Sequence, residues 1–161
     1  RYPEVRGVGI QRFAKEAGLH LNPTLIYDLP GTMGSNSGFE GGRRLTNGLI
    51  QSEKQFTAIL AFDDLTAYGA IRALSETGRR VPDDCSVIGF DDIPAAALST
   101  PGLTTIQQPM GEMGEYAAGY ILKHLEQGGE QGSQPYGDSH LMVPTLVARG
   151  STVRRKKVGR K

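Results

Sequence analysis

The chain has 161 residues, a single cysteine and a formal net charge of +1, which suits one buried core and excludes an internal disulfide. Six of the eighteen basic residues lie in the last stretch, Val153–Lys161, and the rest of the chain is acidic, which argues against a nucleic-acid-binding surface on its folded part. No stretch approaches the ~20 apolar residues of a membrane span, and no signal peptide is visible.

Patterns typical of helices and strands alternate along the chain. We predict, in order, a helix over 3–17, a strand over 25–27, a loop over 30–38, a helix over 39–50, a strand over 58–62, a helix over 65–77, a strand over 86–90, a proline-containing loop, a strand over 104–106, a helix over 110–126, a loop over 128–139 and closing strands over 140–143 and 146–148. Strands that alternate with helices of this length predict right-handed βαβ crossovers. The expected fold class is therefore α/β, with a mainly parallel, doubly wound sheet.

One phrase occurs twice. The sequence AILAFDDL at 58–65 returns 28 residues later as SVIGFDDI at 86–93. Each copy is a short apolar run, typical of a strand buried on both faces, and each ends at two aspartates. Because the intervening sequence fits one amphipathic helix, the two acidic pairs should lie side by side at the carboxyl edge of a parallel sheet, where open α/β sheets bind their ligands.

The two carboxylates of each pair are expected to have different roles. The second, Asp64 or Asp92, is placed to accept hydrogen bonds from backbone N–H groups at the start of the following segment, as an N-cap. The first, Asp63 or Asp91, is then available to face a cleft. The alternative is that all four are caps and turn formers.

The chemistry of such an edge has two interpretations. Converging carboxylates suit Mg²⁺, as in phosphoryl-transfer enzymes, but the chain contains no GxxxxGK[ST] loop. Carboxylates beside an arginine, amides and aromatic rings suit a neutral polyol or sugar, and this interpretation fits the residues better. Its candidates are Arg6, Gln108, Phe62 and Phe90. No HExxH, GxSxG or CxxC motif occurs, so we expect no enzyme, no metal and no cofactor.

Five stretches together resemble a known family. They are AILAFDDLTAYGAIRAL at 58–74, GRRVPDDCSVIGFDDI at 78–93, LTTIQQPMGEMG at 103–114, LVARGST at 146–152 and RGVGIQRFAKEAGL at 6–19. In this order and spacing they are similar to the effector-binding core of LacI/GalR transcriptional repressors. The resemblance covers residues 5–152. It implies a type I periplasmic-binding-protein-like fold of two α/β subdomains with an effector between them, of which this chain holds mostly one.

The resemblance also implies site residues. Arg6 stands where the family has an effector-contacting arginine, Asp63 matches the residue that ends one strand, Asp91 matches the carboxylate that grips sugar hydroxyls, and Gln108 matches a polar crossover residue. Phe62 and Met110 are weaker suggestions for pocket walls, and Met33, in the variable loop, is a separate suggestion.

Four regions follow from the resemblance. Residues 1–108 are expected to be the carboxyl-terminal subdomain, 109–127 a helix that belongs with the amino-terminal subdomain, 140–152 closing strands, and 153–161 a disordered basic tail. The helix carries an apolar stripe of Tyr116, Tyr120, Ile121 and Leu125, which we expect to pack on a second copy of the chain or to be poorly ordered.

The expected function is that of a fragment of a cytoplasmic, homodimeric repressor that senses a sugar or related metabolite. Operator DNA would be bound only through a helix-turn-helix that this sequence does not contain, and no membrane is expected as a partner. The single Cys85 also favours the cytoplasm. The alternatives are a solute-binding protein of a transporter, which shares the fold, and a Mg²⁺-dependent phosphotransfer domain. The basic tail is interpreted as solvated charge rather than a nucleic-acid contact.

Overall fold

The computed structural model describes residues 5–19, 21–27, 38–126 and 140–154. The helices are α1 Val5–Glu16, α2 Gly38–Gln51, α3 Asp64–Glu76, α4 Pro94–Leu98 and α5 Met110–Glu126, and the strands are β1 Ala58–Leu60, β2 Ser86–Ile88, β3 Thr105–Gln107 and β4 Thr145–Val147. The predicted helices 3–17, 39–50, 65–77 and 110–126 are confirmed to within a few residues. The predicted loops at 30–38 and 128–139 and the predicted basic tail lie almost entirely outside the described residues.

The strands pair in the order in which they occur. β1 is parallel to β2, with Ala58 opposite Ser86. Parallel bridges join Ile88 to Thr104 and Asp91 to Gln107, and so connect β2 to the β3 segment. β4 closes this arrangement antiparallel to β3. The described part of the chain therefore has the predicted α/β architecture, parallel over its first three strands.

The core lies where α3 covers the sheet. Its buried residues come from α3, β2, the turn before β2, α4 and the residue before the Thr104 bridge: Ala67, Leu74, Cys85, Val87, Ala96 and Leu103. Burial of this kind stabilises a fold by about 25 cal/mol for each Å² of apolar surface removed from water. The same packing fixes α3 over the sheet, and the first turn of α3 carries the first acidic pair.

Helices α2 and α3 approach each other closely through two glycines. A Cβ on Gly69 would collide with the backbone carbonyl oxygen of Phe39, and a Cβ on Gly42 would collide with that of Thr66. Only glycine permits this backbone approach at either position. Arg43 of α2 also pairs with Glu76 of α3, with Nε 3.1 Å from Oε2.

Three short segments differ from the predictions. Residues 25–27 do not form a strand; Pro23–Leu25 is a 3-10 helix whose cap, Asn22, accepts from the backbone N–H of Thr24. Local turn chemistry at Asn22 and Pro23 therefore outweighs a short apolar run. Of the two predicted closing strands only the second forms, since residues 140–144 are neither helix nor strand. α4 was not predicted, and it starts with Pro94 at its amino terminus and buries Ala96.

Helix α5 keeps much of its apolar stripe exposed. Leu125 is 71% and Ile121 58% exposed. Tyr116 is partly covered by the ring of His140, with ring centroids 4.6 Å apart. The described residues of the chain therefore leave most of this stripe uncovered. None of the helices in the described part of the chain has the length and apolar character needed to cross a membrane.

Candidate functional site

The predicted site residues gather at the carboxyl ends of the parallel strands. Phe62 and Asp63 follow β1, Asp91 follows β2, and Gln108 follows β3. The backbone N–H of Asp91 donates to the carbonyl of Ile106 at 2.8 Å, which joins the ends of the last two strands. This edge is where ligands bind in open α/β sheets.

Asp91 and Gln108 are in direct contact. Gln108 Nε2 donates to Asp91 Oδ1 at 2.6 Å, and both residues are half-buried. The bond orients the carboxylate and leaves the amide oxygen Oε1 of Gln108 as a second acceptor. A carboxylate and an amide oxygen fixed side by side are suited to accept hydrogen bonds from neighbouring hydroxyls of one ligand.

The roles predicted for the first acidic pair are wrong for both residues. Asp63, not Asp64, is the N-cap of α3, and its Oδ1 accepts from the backbone N–H of Thr66 at 2.6 Å. Asp64 is the first residue of the helix and is fully buried. The helix begins one residue earlier than predicted, and this single step gives the capping role to Asp63 and places Asp64 inside the fold rather than at the cleft. The Asp63 side chain is therefore engaged in capping.

Asp64 connects two neighbouring segments of the site. Its Oδ2 accepts from the backbone N–H of Ile93 at 2.9 Å, and its Oδ1 accepts from the hydroxyl of Thr105 at 2.5 Å. Burial raises the pKa of Asp64 above its ordinary value, while the hydrogen bonds from Thr105 and Ile93 act in the opposite direction. The sequence did not predict this role. The signal it offered is that the acidic pair directly follows a buried strand, which places a carboxylate at the sheet edge.

Asp92 is not a cap either. Arg149 Nη2 lies 2.7 Å from Asp92 Oδ1, an ion pair without an aligned hydrogen bond, since Oδ1 accepts none from the described residues. Gln107 Nε2 donates to Asp92 Oδ2 at 2.8 Å, and Arg149 Nη1 donates to the carbonyl of Leu103 at 2.8 Å. Arg149 was not predicted, because its pairing with Asp92 joins segments that are distant in sequence.

The second acidic pair has a strained backbone. Asp91 has φ 110° and Asp92 has φ 56°, both in the region that favours glycine. Each such residue costs about 1–3 kcal/mol and persists only where surrounding contacts impose it. The contacts of Gln108, Gln107 and Arg149 with these two carboxylates supply part of that constraint.

The remaining predicted residues are less constrained. Phe62 is 43% and Met110 63% exposed, and Met110 is the first residue of α5. Arg6 belongs to α1, but its side chain, like the whole of Met33, lies outside the described residues. The geometry therefore joins Asp91 to Gln108 and places Phe62, Asp63 and Met110 on nearby strand and helix ends.

The acidic edge does not have the arrangement of a metal site. Within the described ranges, no group of three or more His, Cys, Asp or Glu side chains is placed to hold a metal ion. Asp63 and Asp64 accept from backbone N–H groups and Asp92 faces a guanidinium. Each of these contacts occupies oxygens that a hard cation would need as ligands.

Comparison of sequences connects the chain to bacterial regulators. The sequence profile described as "Periplasmic binding protein-like domain" matches residues 1–152. The HTH-type transcriptional repressor PurR of Haemophilus influenzae is 37% identical over 143 residues, 89% of this chain and 40% of that protein. The HTH-type transcriptional regulator MalR of Streptomyces coelicolor is 40% identical over 114 residues, 70% of this chain and 31% of that protein.

Solved structures agree with the sequence relatives. A LacI family transcriptional regulator from Arthrobacter sp. FB24, in complex with lactose, is 33% identical with a TM-score of 0.72, covering 94% of this chain and 51% of that one. A LacI family transcriptional regulator from Enterococcus faecalis V583 with bound ribose is 28% identical with a TM-score of 0.65, and the match covers 74% of this chain and 42% of that one. This chain spans about 40% of the length of the PurR repressor it matches.

Proposed function

We propose that this chain, which belongs to the LacI/GalR family of periplasmic-binding-protein-like domains, forms part of the effector-binding region of a transcriptional repressor. Its ligand would be a sugar or a related polyhydroxylated metabolite, bound at the edge that carries Asp91. The observation that carries the proposal is the Asp91–Gln108 contact of 2.6 Å at the carboxyl ends of two adjacent strands.

The chemistry of this edge supports a neutral, hydroxylated ligand. The Asp91 carboxylate and the Gln108 amide oxygen would accept from ligand hydroxyls, and charge-assisted hydrogen bonds to a carboxylate are the stronger class. The exposed ring of Phe62 offers an apolar surface to the C–H face of a sugar. Arg6 and Met110 are proposed as further contacts, and Asp63 contributes through the helix start that it caps.

Relatives give independent support for this ligand class. The solved structure of the Arthrobacter regulator is a complex with lactose, and that of the Enterococcus faecalis regulator contains bound ribose. PurR and MalR are both described as transcriptional regulators, which favours a regulator over a transporter's solute-binding protein. This chain is accordingly proposed to be a non-catalytic sensor.

The proposed mechanism needs two arrangements of the whole regulator. The effector must bind one arrangement more tightly than the other, because a ligand with equal affinity for both would not shift the equilibrium between them.

We assign 1–108 to the carboxyl-terminal subdomain, 109–127 to a helix that packs with the amino-terminal subdomain, and 140–152 to the closing strands. Operator DNA would be the partner of the whole cytoplasmic protein, through a helix-turn-helix that these residues do not include.

Homodimerisation is proposed through the groove between α3 and α4. This groove has a volume of about 590 Å³ and is lined mainly by apolar side chains, among them Leu65, Tyr68 and Leu98. Leu98 is 83% exposed. We propose this groove rather than the α5 stripe for the second copy, because in the whole protein the stripe is assigned to the other subdomain. Sedimentation should show that the wild type is a dimer. Leu98→Glu should dissociate this dimer, and Gln51→Glu, at an exposed polar position, should leave it intact. A dimer unaffected by Leu98→Glu would contradict this assignment.

Titration calorimetry tests the site. The full-length protein is titrated with ribose and with lactose, and we expect at least one to bind. Asp91→Ala and Arg6→Ala should abolish that binding. Asp83→Ala is the matched control, because it removes an exposed carboxylate from the turn before β2, at the opposite end of the strand. Unchanged binding in both Asp91→Ala and Arg6→Ala would remove the site assignment.

A further inference from the structure

The turn that contains Asp91 and Asp92 needs contacts from outside the turn to keep its backbone conformation. Two consecutive residues, Asp91 and Asp92, have positive φ, and without external contacts the chain would relax to the extended or helical region. Whatever fixes this turn also fixes the direction of the Asp91 carboxylate. The following inference therefore rests on the proposed function of that carboxylate in ligand binding.

One buried side chain lies behind the turn. Asp64 is fully buried, and its Oδ2 accepts from the N–H of Ile93, the residue directly after the strained pair, at 2.9 Å. Its own backbone N–H donates to the carbonyl of Phe90, the residue directly before the pair, at 2.9 Å. Asp64 is thus bonded to both ends of the turn. Its position leaves no room for a side chain at Gly89, because a Cβ there would collide with Oδ1.

The same carboxylate also fixes the strand that supplies the partners of the turn. Asp64 Oδ1 accepts from the hydroxyl of Thr105, the first residue of β3 and itself fully buried. β3 then leads to Gln107 and Gln108, which donate to the carboxylates of the strained pair. A shift of β3 along its axis would separate both amides from those carboxylates.

We infer that Asp64 is the positioning residue of the ligand site: through Ile93 and Thr105 it holds the strained turn and β3 in register, so that the Asp91 carboxylate is presented to the ligand already oriented. Asp64 itself does not touch the ligand. Preorganisation of this kind increases affinity because the ordering of the site is complete before the ligand arrives.

The test compares four variants by NMR on ¹⁵N-labelled full-length protein. Asp64→Ala removes both bonds and Thr105→Val removes one without a large change of volume. Asp64→Asn is the conservative variant, since its amide oxygen can accept from Ile93 and its NH₂ can donate to the Thr105 hydroxyl. Leu74→Ala is the control, because it opens a cavity in the same helix, in the core, away from the turn.

The readouts are the exchange rate of the Ile93 backbone amide and the signal of the Gln108 side-chain amide. In Asp64→Ala and Thr105→Val we expect exchange at Ile93 to accelerate about tenfold or more relative to amides in α2, and the Gln108 signal to shift. Asp64→Asn should restore both readouts. Leu74→Ala should change exchange throughout the fold without singling out Ile93. If Asp64→Ala does not fold, Thr105→Val carries the same comparison.

Two results would overturn the inference. One is an unchanged Gln108 signal and Ile93 exchange rate in Thr105→Val, and the other is an equal selective change in Leu74→Ala. The sugar that binds the wild type is then titrated into the same variants, where Thr105→Val should weaken binding about tenfold while the protein remains folded. A wild type that binds neither ribose nor lactose counts against the proposed ligand class, whereas the NMR comparison still decides the role of Asp64.

Discussion

Replacement of Gly69 by alanine should destabilise the fold, although alanine is the better helix former. Inside a helix, Gly→Ala is worth about 1 kcal/mol of stability. At position 69, however, the new Cβ would collide with the carbonyl oxygen of Phe39 and lie 2.6 Å from the backbone nitrogen of Arg43. Both obstacles are main-chain atoms of α2, so they cannot turn aside as a side chain would. Overpacking of this kind costs about 1–3 kcal/mol or more, and α2 must move away from α3.

We expect a net loss of about 2 kcal/mol for Gly69→Ala, which corresponds to a fall of the melting temperature by roughly 4–8 °C. Gly48→Ala is the matched control. Gly48 lies in the same pair of helices, and a Cβ there would meet nothing within 4 Å, so the intrinsic preference should raise stability by about 0.5–1 kcal/mol. Urea unfolding followed by circular dichroism measures both. A Gly69→Ala variant as stable as the wild type, or equal losses at both positions, would refute the close-approach argument.

Three further results are expected. Asp63→Ala should lower stability by about 1 kcal/mol, whereas Asp63→Asn, which can also cap, should lower it far less; equal losses in thermal unfolding would contradict the capping role. Burial raises the pKa of the Cys85 thiol to about 11, so iodoacetamide at pH 8 should alkylate it only under unfolding conditions, and rapid labelling of the native protein, seen by mass spectrometry, would disprove its burial. Burial also raises the pKa of Asp64, with smaller contributions from Asp91 and Asp92. The protonated carboxyl is therefore favoured by folding, and the wild type should lose stability relative to Asp64→Asn as pH rises from below 3.8 towards neutrality; a pH-independent difference would argue against the raised pKa.

The sequence predicts the long elements well because their periodicity is extensive. α3 and α5 carry apolar residues over several turns, and the repeated strand phrase places β1 and β2 correctly. Short elements depend on a few local contacts instead. The segment 25–27 looks like a strand, but the Asn22 cap and Pro23 make it a 3-10 helix.

The position of the two acidic pairs was predictable from the sequence, but the division of roles within each pair was not. Parallel strand ends must meet at one edge, so the acidic pairs were bound to be neighbours. Whether Asp63 or Asp64 caps α3 depends on a helix boundary, which pattern alone does not resolve to one residue. The ion pair between Asp92 and Arg149 depends on how β4 returns to the sheet, and only the tertiary structure brings those two side chains together.

Ser151 has a consequence for the order in which the chain folds. Its carbonyl accepts from the N–H of Val87, its hydroxyl donates to the carbonyl of Val87, and the N–H of Thr104 donates to that hydroxyl. The central strand of the sheet is therefore completed by a residue 64 positions away in sequence. Contacts of such separation form late, because the entropy of closing the loop must be overcome first. During synthesis, β2 would wait until residue 151 has left the ribosome, so we expect the sheet to be completed only after that point.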